Sequence, residues 1–173
     1  DGYKGERDHL ILLMFYTTGI RVSELVGLNV ENVDFSLGQL KVLGKWNKHR
    51  VVPFGEELAQ ALQHYMLVRN ENFPVCTGSE QPLFLDERHN ARVKVSKVQT
   101  IVKKYLSMVT TQKKKSPHVL RHTFATSMLN HHADLQSVKE LLGHKRLTTT
   151  EVYTHTTFEE LKEMYNLAHP RAK

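Results

Sequence analysis

Apolar residues crowd the start of the chain. In "ERDHLILLMFYTTG" (6–19) nearly every position after Asp8 is apolar, leaving no polar stripe to face solvent. A helix that is hydrophobic all round belongs inside a protein, and a glycine is a common helix stop. The pattern therefore predicts a buried helix ending at Gly19. "IRVSELVGL" (20–28) predicts a second, short helix stopped near Gly27. The period then changes. "GQLKVLGKWNKHRVVPF" (38–54) holds two β-branched runs around a polar, basic turn, which predicts a hairpin with Lys45 to Arg50 at or near its tip. Helical spacing returns in "GEELAQALQHYMLVRN" (55–70), at Leu58, Leu62, Tyr65 and Met66. Residues 71–82 read as a loop, "LFL" (83–85) as a third short strand, and "KVSKVQTIVKKYLSMV" (94–109) as an amphipathic helix.

The rest of the pattern is helical. "KKKSPHVLRHTFATSMLN" begins with a basic run, then offers Ser116 as N-cap and Pro117 as first helical residue. "DLQSVKELLG" (134–143) is a helix closed by Gly143. "TTTEVY" opens another, with Thr148 and Glu151 in capping-box spacing. In "FEELKEMYNLA" (158–168), Phe158, Leu161, Met164, Tyr165 and Ala168 share one face. There is no internal repeat or low-complexity tract. The expected architecture is mainly α with one small antiparallel β-sheet, an α+β domain spanning 1–173.

Composition narrows the class. The chain has 173 residues, 40% hydrophobic and 24% charged, enough for one domain with a real core. No apolar run reaches transmembrane length and no secretory signal opens the chain, so no membrane partner is expected. Cys76 is the single cysteine and has no internal disulfide partner, which makes a reducing, cytoplasmic setting the default. The chain opens at Asp1 almost directly in a helical pattern, which predicts a natural N-terminal part beyond it. The net charge is +6, with 11 histidines besides, and points to a polyanionic partner.

Several residue sets carry candidate chemistry. His118 and Arg121 share a helix face in the first turn, where backbone N–H groups and the helix dipole favour an anion. A phosphate there would meet an imidazole and a bidentate guanidinium together; the plain alternative is a surface pair on an ordinary helix. His118 and His122 also have the spacing of a zinc-binding helix, but the hydrolytic version puts a glutamate after the first histidine, and Val119 stands there. No third ligand with recognisable spacing lies nearby. Arg21, between Ile20 and Val22, either pairs with Glu24 one turn on or projects into a site. The two readings are compatible, because a carboxylate can orient a phosphate-binding arginine. At the hairpin, Lys45, Lys48, His49 and Arg50 form either a solvated turn or an arm that reaches into a nucleic-acid groove. Trp46 either makes a contact there or packs back on the sheet. In "LLGHKRLTTTEVYTH" (141–155), Gly143 turns His144 away from the helix axis, and Tyr153 falls in the second turn of the next helix. His144 and Tyr153 can thus flank one small ligand, although a lone tyrosine is ordinarily core.

The motifs "TTGIRVSELVGL", "GKWNKHRVVPFG", "HVLRHTFAT", "LLGHKRLTTTEVYTH" and the terminal "HPRA" resemble the catalytic domain of tyrosine recombinases, the Xer and phage-integrase group. They occur in the family's order and cover almost the whole chain. The ending "LAHPRA" most resembles the Xer branch, with mobile-element integrases as the neighbouring alternative. The resemblance implies the DNA breaking-rejoining fold and assigns the family's catalytic set to Arg21, Lys45, His118, Arg121, His144 and Tyr153, with Glu24 as the supporting acid. Lys48, Arg50, Lys113, Lys114 and Lys115 are the accompanying DNA-binding candidates. Two positions depart from the pattern. Trp46 stands where a glycine usually follows the hairpin lysine, and His131 and His132 stand in a turn that usually holds one. The family's N-terminal DNA-clamping domain is not in these residues.

The resemblance implies a DNA strand transferase that needs no metal, cofactor or ATP. Tyr153 is the expected nucleophile, giving a 3′-phosphotyrosine and a free 5′-hydroxyl. Arg21 and Arg121 are expected to clamp the phosphate, His144 to add a hydrogen bond, His118 to take the tyrosine proton, and Lys45 to protonate the leaving oxygen. Its partner is a double-stranded DNA recombination site, bound by a homo- or hetero-tetramer through the 158–173 tail, with a monomer for the isolated domain and a nucleoid location. Rival readings are a type IB topoisomerase, a DNA-binding regulator without catalysis, and a metal-dependent hydrolase built on His118 and His122.

Overall fold

The computed structural model describes residues 2–74, 80–109, 115–118 and 121. The opening helix, α1, runs Tyr3–Thr18 and stands at the centre of the fold. Leu10, Ile11, Leu12, Leu13, Met14 and Phe15 are all buried, so the helix is covered on every side, as its continuous apolar run requires. It starts a few residues earlier than expected because Tyr3 and Arg7 are also buried. Gly19 ends it in the left-handed conformation, φ 62°, with its N–H bonded to the Phe15 carbonyl. Helix α2 is Val22–Gly27.

A three-stranded antiparallel sheet follows, made of β1 (Val33–Asp34), β2 (Gln39–Leu43) and β3 (His49–Pro53), in the order β1-β2-β3. The register pairs Val33 with Leu40, Leu40 with Val52, Val42 with Arg50, and Leu43 with His49. Leu40, Val42 and Val52 point into the core, while Lys41, Leu43, Val51 and Pro53 are exposed. Helix α3, Glu56–Asn72, buries Leu58, Leu62, Tyr65 and Arg69 and packs on α1. Helix α4, Val95–Val109, buries Val98, Ile101, Val102 and Leu106 against α1 and α2. No helix among the described residues is long and apolar enough to cross a membrane.

The strand expected at 83–85 does not join the hairpin sheet. The third strand there is β1, and Leu85–Asp86 (β4) pairs instead with Ala91–Arg92 (β5) in a second, two-stranded sheet. The reason lies in how that segment is held. Leu83, Phe84 and Leu85 are all buried, and polar side chains from the helices fix their backbone. The Tyr65 hydroxyl donates to the Leu83 carbonyl at 2.9 Å, and the Tyr3 hydroxyl to that of Leu85 at 2.9 Å. Arg69 donates from Nη2 to the Pro82 carbonyl at 2.8 Å.

Arg7 completes this seam. It is fully buried, donates to Asp8 from Nη2 at 2.9 Å, reaches the Leu85 carbonyl at 3.3 Å and is hydrogen-bonded to the Glu87 carboxylate. Burial opposes ionisation of Glu87, but a hydrogen bond from its own backbone, Arg7 and Lys97 outweigh that and lower its pKa to about 2. Ionised Glu87 therefore contributes stability that is present above its ordinary pKa of 4.5 and is lost as the pH falls toward about 2. Urea unfolding should show Glu87→Gln to be less stable than the parent at neutral pH. That deficit should close as the pH falls through this window; a deficit constant down to acid pH would contradict the Arg7–Glu87 account.

Candidate functional site: an arginine cluster on a buried carboxylate

The turn at Gly19 sends the chain from the end of α1 directly into Arg21, the N-cap of α2. Glu24 lies one turn into α2, only 2% exposed. An isolated buried carboxylate is costly unless its oxygens are satisfied by charged donors. Here the donors come from three separate parts of the chain. The Arg21 backbone N–H donates to Glu24 Oε2 at 2.9 Å, the return half of a capping box, and Arg21 Nη1 approaches Oε1 at 3.5 Å. Arg50 binds both oxygens, from Nε to Oε1 at 2.8 Å and from Nη2 to Oε2 at 2.7 Å. Arg121 is 3% exposed; its Nη1 donates to the Gly19 carbonyl at 2.9 Å and lies 4.0 Å from Glu24 Oε2.

Of the expected site residues, Arg21, Glu24 and Arg121 thus meet at one point. Arg50 belongs with them. The sequence pattern put it near the hairpin tip among DNA-contacting side chains, but it stands inside β3, opposite Val42 and two residues from buried Val52. Side chains two apart on a strand share a face, so Arg50 points inward to Glu24. That parity was the available signal.

The tip itself is Gly44 to Lys48. Lys45 and Lys48 are both exposed. Gly44 donates its N–H to the Lys48 carbonyl at 2.8 Å, and a Cβ at this position would sit 3.6 Å from Glu24 Oε1. The base of the tip therefore passes directly over the carboxylate, tying the Lys45 turn to the arginine cluster. Trp46 does not pack back on the sheet. It is 86% exposed and adopts φ 62°, ψ 30°, the left-handed conformation that favours glycine. His118 is exposed, and Pro117, His118 and Arg121 are helical, in keeping with a helix that starts after Ser116. Lys115 is half-buried. Lys113, Lys114, His122, His144, Tyr153 and the helices expected over 134–143, from Thr148 and over 158–168 lie outside the described residues. Among the described residues no three histidine, cysteine, aspartate or glutamate side chains group as a metal site.

Among the described residues, three guanidinium groups meet at the Glu24 carboxylate. Burial works against the Glu24 carboxylate, but hydrogen bonds from Arg50 and the Arg21 backbone hold its pKa below the ordinary value. Arg121 is pushed the other way for a cation. Its burial, with the repulsion of Arg21 and Arg50, outweighs the attraction of Glu24 and lowers its pKa to about 9. It remains charged at neutral pH, and an added anion would relieve the repulsion. Rigid guanidinium forks fixed by a carboxylate suit a tetrahedral oxyanion such as a phosphate.

A sequence model of the Phage integrase family matches residues 2–160. The chain is 48% identical over 169 residues to tyrosine recombinase XerC of Chlorobaculum tepidum, covering 96% of this chain and 50% of that protein. It spans about half the length of the curated relatives it matches. Among solved structures, the XerA recombinase superposes with a TM-score of 0.73 at 34% identity, over 96% of this chain and 57% of that one. The XerH recombinase, bound to a palindromic difH substrate in a post-cleavage complex, gives 0.72 at 26% identity, over 92% and 44%.

Glu24→Gln should lower unfolding free energy by about 3–5 kcal/mol, the usual result of removing one partner from a buried ion pair. Sulfate should raise the melting temperature of this variant more than that of the parent, because it replaces the missing negative charge. Unchanged stability, or equal sulfate effects, would show that the carboxylate does not hold the cluster.

Proposed function

The chain belongs to the phage integrase family, and from that membership we propose that it is the catalytic domain of a site-specific DNA recombinase working through Tyr153. The observation that supports this most directly is the convergence of Arg21 and Arg121 on Glu24 beneath the turn that carries Lys45. A phosphodiester under attack builds negative charge on its non-bridging oxygens. Arg21 and Arg121 hold those oxygens, and His144 adds a hydrogen bond. Donors aimed at developing charge are often the largest catalytic contribution.

In this reading Tyr153 Oη attacks phosphorus. A phosphorus–tyrosine bond forms as the bond to the 5′-oxygen breaks. His118 takes the phenolic proton, and Lys45 gives a proton to the departing 5′-oxygen. The 3′-phosphotyrosine conserves the energy of the broken bond, so a 5′-hydroxyl from a partner strand reverses the step without ATP. The guanidinium groups supply the charge stabilisation that metal ions supply in other phosphoryl-transfer sites, so the reading requires no metal. Two such exchanges between duplexes need four protomers. The amphipathic tail 158–173 is the proposed contact between neighbours, with a monomer in the absence of DNA, and light scattering reads both states.

A nicked suicide duplex, carrying a site selected by the protein from random sequence, should trap a denaturant-stable adduct. Tyr153→Phe should abolish the adduct and leave DNA binding largely intact, and a chelator should leave the yield unchanged. Arg21→Ala should slow cleavage by about 10²–10³, the usual loss for one donor of a preorganised oxyanion site. Binding should fall much less, since many basic groups contact the backbone. A normal adduct yield in Tyr153→Phe, or a strict metal requirement, would overturn the mechanism.

A further inference from the structure

Trp46 is the single tryptophan of the chain. Its backbone lies at φ 62° and that of Asn47 at φ 58°, two successive residues in a region that L side chains rarely adopt. Such strain persists where the surroundings enforce it, and it clusters at functional sites. Here the Gly44–Lys48 and Lys48–Lys45 backbone hydrogen bonds, at 2.8 and 3.4 Å, enforce it. The indole gains no burial in return. At 86% it is the most exposed of the large hydrophobic side chains among the described residues. Around it Lys45, Lys48 and His49 are exposed as well. Lysine is depleted in protein–protein interfaces, whereas a basic groove or arm with an aromatic platform is how proteins hold nucleic acid.

We propose that Trp46 is a DNA-contact residue, its indole wedging at a base step, which it partly unstacks, beside the phosphate received by the arginine cluster. It thereby acts as a positioning residue for Lys45. The inference rests on the DNA-recombinase reading above. The tip is suited to it, because the Gly44 backbone lies against Glu24 and sets the register of the turn over the arginine cluster. A flexible or apolar tip would give the ring no such register. A glycine at this position would relieve the strain but offer no stacking surface.

The test titrates the 173-residue chain with a short, labelled, mixed-sequence duplex at low salt. Anisotropy reports binding, while Trp46 emission and its quenching by acrylamide report the ring. Free protein should emit as a solvent-exposed indole, and saturating duplex should cut acrylamide quenching several-fold. Trp46→Gly should bind about fivefold more weakly or worse, and Trp46→Phe should recover most of it. The melting temperature of Trp46→Gly should not fall, because glycine relieves the strain, so weaker binding is not misfolding. Binding with unchanged acrylamide access overturns the proposal, as does an indole already shielded in free protein or equal affinity for Trp46→Gly. Absence of any anisotropy change in the parent overturns the DNA reading itself, and the inference with it.

Discussion

The Glu24 carboxylate sits where three stretches of chain meet: α2, β3 and the segment that carries Arg121. Each brings an arginine, and each arginine is oriented by the same two oxygens or by the Gly19 carbonyl beside them. Without the carboxylate, three like charges would be confined together at low exposure. With it, the charges are held in place. Guanidinium forks held in this way suit a tetrahedral oxyanion. The position of Arg21 follows from the stop of α1 at Gly19, and the position of Arg50 from the β2–β3 register. The base of the Lys45 turn rests on Gly44 above Glu24.

A second buried arginine keeps the scaffold in register. Arg7 joins α1 to β4 through Asp8, the Leu85 carbonyl and Glu87. Arg92, on β5, donates from Nη1 to the carbonyls of Val26 and Leu28, each at 3.0 Å, closing the C-terminal end of α2. Helix α2 is thus fixed at both ends, by the capping interaction at Arg21 and by Arg92, which is what a six-residue helix needs to hold a buried charge. The geometry of the arginine cluster depends on these contacts.

Much of this was legible in the sequence. The all-apolar run after Asp8 could only be a buried helix, and α3 and α4 follow from their spacing of Leu58, Leu62 and Tyr65, and of Val98, Ile101 and Val102. The hairpin followed from its β-branched runs. Strand β1 escaped because it is two residues long and its pairing with β2 is a matter of register, not composition. The pairing of the strand at Leu85 is not legible, because a short apolar run does not name its partner, and its anchors, Tyr3, Tyr65 and Arg69, are distant in sequence. Arg21, Glu24 and Arg121 were visible as motif positions. Arg50 was seen only as a basic residue near a turn, since strand parity, not charge, turns it inward. The strain at Trp46 is a backbone property that sequence hints at only by the missing glycine.

The claim on which the site depends is that Glu24 and Arg50 act as one unit. A double-mutant cycle measures this directly, comparing Glu24→Gln, Arg50→Met and the double variant by urea unfolding at neutral pH. The two-point hydrogen bonding predicts a coupling free energy within about 1–3 kcal/mol, as found for residues sharing a buried ion pair. Additivity to within about 0.5 kcal/mol, the behaviour of independent sites, would contradict it.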